Sequence, residues 1–213
     1  MAMPNLAGSG RARWLLALSL AVVGFVALGA CGSAGGAVNQ LTSTPAPQAE
    51  PTIEENRYFF PARGYEALIP EGWQSDANSL VAGSLKVDSF YASGEVDGVQ
   101  GNISVTCEEN PSGVSTEQYV QNRLATLRQL AVADLKTLGT VTVGGAQGQM
   151  VSYTLTRGDT IVRKIDVMVT ASKCAWTLAL ATAPSEESYN RDVFDRFLES
   201  FRLIDESPAT SGS

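Results

Sequence analysis

Between Tyr58 and Ile204 the spacing of apolar residues switches repeatedly between period two and period 3.6, the marks of strands and helices. Asn102 to Glu108 alternates Ile103, Val105 and Cys107 with Ser104, Thr106 and Glu108, which predicts a strand with one apolar and one polar face. A strand near Tyr65 to Ile69 runs into the turn signal Pro70-Glu71-Gly72, with Trp73 just beyond. Ser115 to Ala131 changes period, placing Tyr119, Val120, Leu124, Leu127 and Ala131 on one helical face. Ser115, with Gln118 three residues later, forms a capping-box start. Strands follow near Thr140 to Val143 and Gln149 to Leu155. Arg157-Gly158-Asp159 then turns into Ile161 to Thr170, and Ala171-Ser172-Lys173 turns into Cys174 to Thr182. Short turns force these last three strands to run antiparallel as a meander. Glu186 to Ser200 sets Val193, Phe194, Phe197, Leu198 and Phe201 on one helical face, behind an acidic first turn that suits the helix dipole.

Strands grouped between two amphipathic helices, without regular strand-helix-strand alternation, predict an α+β domain: a central antiparallel sheet flanked by two main amphipathic helices. Gly144-Gly145 and Gly148 lack the lysine and the following helix of a phosphate loop and read as a turn or bulge.

Residues 1–30 have a different pattern. Arg11 and Arg13 precede an apolar core from Trp14 to Leu28, the layout of a secretory signal. The run ends at Leu28-Gly29-Ala30-Cys31, which resembles the lipobox of bacterial lipoproteins. That resemblance implies cleavage before Cys31 and lipid on its thiol, and two acyl chains are enough for stable anchoring. The alternative is an uncleaved anchor helix, since the run is near the lower length limit for a span. Either way the rest of the chain is expected on the extracytoplasmic face of a cell membrane. Residues 31–57 are poor in bulky apolar side chains and read as a flexible linker spanning roughly 25 to 30 Å. The folded domain is expected at 58–204, with a disordered tail at 205–213.

Charge and composition narrow the function. Fifteen basic residues less Arg11 and Arg13 leave 13 against 22 acidic ones, a net charge of −9 after cleavage. Such a surface disfavours nucleic acid and anionic lipid headgroups, so contact with the membrane is expected through the lipid on Cys31 alone. The chain has no histidine. Ser-His-Asp and Cys-His hydrolysis and histidine-ligated zinc chemistry are therefore excluded, and no catalytic residue or cofactor is assigned. Glu108, Glu109 and Asn110 offer oxygen ligands at a strand end, but in no calcium-loop spacing, and are expected to form a solvated turn. Asp76, Asp88, Glu95 and Asp97 are assigned to the surface.

Cys107 and Cys174 lie on apolar strand faces of an exported domain, which points to a disulfide; two buried free thiols are the alternative. Trp73, Trp176, Tyr153, Phe194 and Phe197 either line a ligand pocket or fill the core.

The order Tyr65-Glu-Ala-Leu-Ile-Pro70-Glu-Gly-Trp73, Asn102-Ile-Ser-Val105, Ser115-Thr-Glu-Gln-Tyr119 and Phe197-Leu-Glu-Ser-Phe201-Arg-Leu203 resembles the PsbP-like family. The family is named for the extrinsic protein of photosystem II. A Ran-binding nuclear import factor has a similar fold, as do many bacterial lipoproteins. The resemblance implies a sheet flanked by helices and a noncatalytic binding or assembly role toward a protein partner. The metal-binding histidines of the photosynthetic members have no counterpart in this chain. The alternative function is carriage of a small apolar ligand or lipid.

Overall fold

The computed structural model describes residues 51–80, 86–110, 112–171 and 173–204. The leader with Cys31, most of the linker and the tail lie outside the described residues.

Among the described residues, eleven strands and two α-helices follow one another. Strands β1 (Thr52–Glu54), β2 (Arg57–Phe60) and β3 (Tyr65–Leu68) lead into β4 (Trp73–Leu80), β5 (Lys86–Val96) and β6 (Val99–Glu109). Helix α1 (Thr116–Gln129) precedes β7 (Ala133–Val143), β8 (Ala146–Arg157), β9 (Thr160–Ala171) and β10 (Cys174–Thr182). Helix α2 (Glu187–Ser200) and β11 (Arg202–Leu203) complete the described chain. The strands form a four-stranded sheet in the order β1-β2-β3-β11 and a seven-stranded sheet in the order β4-β5-β6-β10-β9-β8-β7.

The larger sheet is two antiparallel meanders, β4-β5-β6 and β7-β8-β9-β10, joined by α1 and closed where β6 pairs with β10. Two-residue hairpin loops make the tight links. Asp97-Gly98 and Gly144-Gly145 both hold the positive φ angles that a primed turn demands. At Gly144 a Cβ would also stand 2.8 Å from Leu203 Cγ, so the loop lies directly against β11. Cys107 and Cys174 are bonded across the β6–β10 seam, with Cα atoms 5.4 Å apart.

Strand alternation splits the larger sheet into two unlike faces. Ile103, Val105, Ile165, Val167, Val169, Trp176, Leu178 and Leu180 point one way and pack on Phe194, Phe197 and Phe201 from α2 and its end, and on Tyr58, Phe60 and Tyr65 of the smaller sheet. Ring contacts knit this core: Tyr65 stacks on Phe201 with centroids 5.1 Å apart, Trp176 meets both edge-on, and Phe90 meets Phe197 at 5.1 Å. The other face carries α1 over Val151, Met168 and Ala175.

The expected α+β domain with a sheet flanked by two main helices is therefore corrected. The described chain is mostly β, with two sheets, and on the α2 side the four-stranded sheet supplies much of the cover that helices were expected to give. The error arises in the N-terminal third. Polar Trp73–Leu80 lacks alternation, β1 falls in the stretch expected to be linker, and these strands exist because neighbours pair with them.

The helices themselves follow the sequence closely. Ser115 Oγ accepts from the Gln118 backbone N–H at 3.2 Å, but the Gln118 side chain turns forward to Asn122, leaving half a capping box. Ala131, expected on the α1 face, lies beyond the helix end at positive φ.

Candidate functional site

Three turns meet at one end of the larger sheet and leave a cleft. Trp73 N–H donates to Pro70 O at 3.0 Å across Glu71 and Gly72, whose φ of +76° suits the glycine position of a type II turn. This turn aims Trp73 inward at the start of β4. The Asp97-Gly98 hairpin brings Val96 and Val99 to the opposite wall, and a register shift in β5 between Tyr91 and Glu95 bends that hairpin. The third wall is the entry to α2: Asp97 accepts from Ser185 Oγ at 2.7 Å, tying the hairpin tip to the helix start.

The cleft has a volume of about 240 Å³. Trp73, Gly101 and Asn190 form its floor, Tyr189 stands 61% exposed at its rim, and Glu71 and Glu186 supply carboxylates. Asn190 is buried and fixed, its Nδ2 donating to Thr182 Oγ1 at 2.7 Å. Gly101 gives the floor its depth, because a Cβ there would stand 3.3 Å from Asn190 Nδ2 and 3.2 Å from Ala92 Cβ.

A second polar constellation lies beneath α1, on the face away from the aromatic core. Lys164 is 7% exposed and Asp166 3%. Asp166 Oδ2 accepts from Tyr153 Oη at 3.0 Å, while its Oδ1 has no partner among the described residues. Burial lowers the Lys164 pKa against the opposing pull of Asp166. Tyr119 Oη donates to Glu108 at 3.0 Å and lies 2.8 Å from Thr177 Oγ1; Arg123 stands 3.9 Å from Glu108. Burial and the neighbouring carboxylates push the hydroxyl pKa values of Tyr119 and Tyr153 well up. These groups serve one another and hold α1 to the sheet.

The residues singled out from sequence separate accordingly. Glu108 belongs to the α1 network, and Asn110 caps its own turn through two bonds of 2.9 Å with the Val114 backbone. Among the described residues no three acidic or cysteine side chains converge as metal ligands. Asp76, Glu95 and Asp97 are exposed, but Asp88 is not a surface residue. It is buried, accepts from Tyr65 Oη at 2.8 Å and faces Arg63 at 3.5 Å, joining the two sheets. Trp176, Phe194 and Phe197 are core, and Tyr153 points to the opposite face, so the five aromatics share no pocket. Only Trp73 reaches the cleft. Glu71, Glu186, Tyr189 and Asn190 were not legible as a site; the Pro70-Glu71-Gly72-Trp73 turn and the Asp97-Gly98 hairpin signal were their only traces. Among the described residues no helix is long and apolar enough to cross a membrane.

The class this architecture defines is an antiparallel two-sheet domain, with one helix bridging two meanders and a second capping the core between the sheets. A solved structure shares it. LpqN of Mycobacterium tuberculosis, described as involved in cell envelope biogenesis, is 13% identical and superposes with a TM-score of 0.50, over 66% of this chain and 83% of its own. Cyanobacterial PsbP (CyanoP) from Synechocystis sp. PCC 6803 is 20% identical with a TM-score of 0.48, over 83% of this chain and 99% of its own. At 13% identity the likeness to LpqN is one of fold alone. No family model and no curated protein matches the chain.

Proposed function

We propose that this protein is a noncatalytic extracytoplasmic module, held to a membrane by lipid on Cys31, that binds a protein partner. The single observation that carries the reading is the open cleft at the sheet end, a preformed concavity on a disulfide-stapled β frame. Leu28-Gly29-Ala30-Cys31 supports the anchor, and the acidic balance of the chain supports a domain that stands off the lipid surface. Carriage of an apolar ligand would need a void beneath α2. There the rings of Tyr65, Phe90, Trp176, Phe197 and Phe201 meet one another directly, which favours the partner-binding reading.

In-cell crosslinking of the full-length chain with membrane fractionation tests the proposal. The expected result is a membrane-bound protein adduct that is lost, together with membrane association, in Cys31→Ser. Copurifying lipid with no protein adduct would move the assignment to a carrier, and an unchanged distribution of Cys31→Ser would remove the anchor.

A further inference from the structure

The carboxylates around the cleft fall into two groups. Several on the elements that build it are committed: Asp97 accepts from Ser185, Glu187 holds Arg163 Nε at 3.0 Å, and Asp195 pairs with Arg191 Nε at 2.9 Å. Glu71 and Glu186, the two that line the cleft, make no ion pair and no side-chain hydrogen bond among the described residues. No lysine or arginine lines the cleft beside them. The indole of Trp73 and the exposed phenol of Tyr189 line the same cleft, with the Asn190 amide already spent on Thr182.

Aromatic rings and unpaired carboxylates lining one cleft are the chemistry that receives a cation, and a planar one best. Guanidinium stacks on indole and phenol and forks to a carboxylate, whereas ammonium is a compact, strongly hydrated charge. Size agrees. About 240 Å³ is below the usual range of roughly 300 to 1,000 Å³ for a pocket that encloses a small molecule, yet it admits one long side chain. The glycine at 101 provides the depth such a chain needs. The acidic chain as a whole would also draw a basic partner toward it.

We propose that the cleft between Trp73, Tyr189, Glu71 and Glu186 is a receptor for an arginine side chain presented by the protein partner. This rests on the binding-module reading and adds the partner's chemistry.

Of the three tryptophans, Trp14 lies in the leader removed by cleavage before Cys31, so tryptophan-¹⁵N labelling of the mature lipidated protein in detergent gives two indole N–H signals, from Trp73 and Trp176, with Trp73→Phe assigning one. The probe is the capped tripeptide Gly-Arg-Gly, with lysine and uncharged citrulline counterparts. Saturable movement of the Trp73 signal by the arginine peptide is expected, with Trp176 still, weaker movement by lysine and none by citrulline. Glu71→Gln with Glu186→Gln should weaken binding at least about fivefold, and so should raising salt to about 0.3 M. Tyr189→Ala, at an exposed position, gives a second variant that leaves the core intact. Equal binding of citrulline, or no movement of Trp73, would overturn the inference. A crosslinked partner with an unmoved Trp73 sinks the arginine receptor alone. Peptide binding at Trp73 without any crosslinked partner upholds the receptor and sinks the assembly role.

Discussion

Lys164 and Asp166 stand two residues apart on the same face of β9, both buried, without an ion pair between them among the described residues. Each is costly to bury alone, and what makes the pair tolerable is the shared field of Arg123, Tyr153 and the opposite charge. Asp166 raises the Lys164 pKa while burial and Arg123 lower it. Asp166→Asn would therefore leave Lys164 without its nearest compensation and should destabilise the fold by about 2 to 4 kcal/mol in urea unfolding at neutral pH. Adding Lys164→Met to that variant should recover part of the loss, because it removes the group left uncompensated. Additive costs would show that the two do not interact. None of this was readable from the chain. A lysine and an aspartate at alternate strand positions look like a solvated face until α1 is known to cover them, just as Asp88 looks exposed until Arg63 and Tyr65 close over it from the other sheet.

At the scale of elements, the seam between β6 and β10 is where two meanders of distant sequence become one sheet. Cys107 pairs in register with Trp176, two residues from Cys174, so the disulfide crosses the seam diagonally beside the aromatic core. The bond closes a loop of 67 residues, which the chain-entropy picture values at up to roughly 4 kcal/mol. Replacing both cysteines with alanine should lower stability by about 2 to 4 kcal/mol, with two-state unfolding retained because the ladder of β6 with β10 and the core beneath it remain. A loss below about 0.5 kcal/mol in the denaturant midpoint would show that the ladder alone fixes the seam. Periodicity identified β6, β8, β9, β10 and both helices because each buries a regular face. It missed β1, β2, β4 and β5, since short or polar strands are held by their neighbours' backbone groups and carry little pattern of their own.

For the whole molecule, pH exposes how the two faces are built. Burial first, then nearby carboxylates, raise the hydroxyl pKa values of Tyr58, Tyr65, Tyr119 and Tyr153 above the ordinary 10. The folded state then holds those protons more tightly than the unfolded chain. Their contribution is complete below pH 10 and is lost as pH climbs above it. Lys164 acts in the opposite sense: its folded pKa lies below 10.5, so the unfolded chain binds its proton more tightly and stability rises with pH up to that value. Melting temperature followed from about pH 8 to about pH 12 should therefore hold or rise slightly, then fall steeply above pH 10.5, where only the tyrosines still titrate differentially. A steady decline beginning at pH 8 would contradict this balance.

The sequence by itself determined the kinds of local order: where period two and period 3.6 alternate, which loops are tight, where Ser115 starts a helix, which two cysteines remain for a bond, and that histidine chemistry is excluded. It also carries Leu28-Gly29-Ala30-Cys31, whose proposed role as a lipid site is read from the linear sequence and not from the fold. Tertiary structure decided the rest: that the N-terminal strands build a second sheet, that Asp88 and Lys164 are interior, and that Glu71, Trp73, Glu186 and Tyr189 share one cleft. The reason is physical. Periodicity records only a segment's own exposed and buried sides, whereas a buried charge or a concave site is defined by what another segment, remote in the chain, brings to face it.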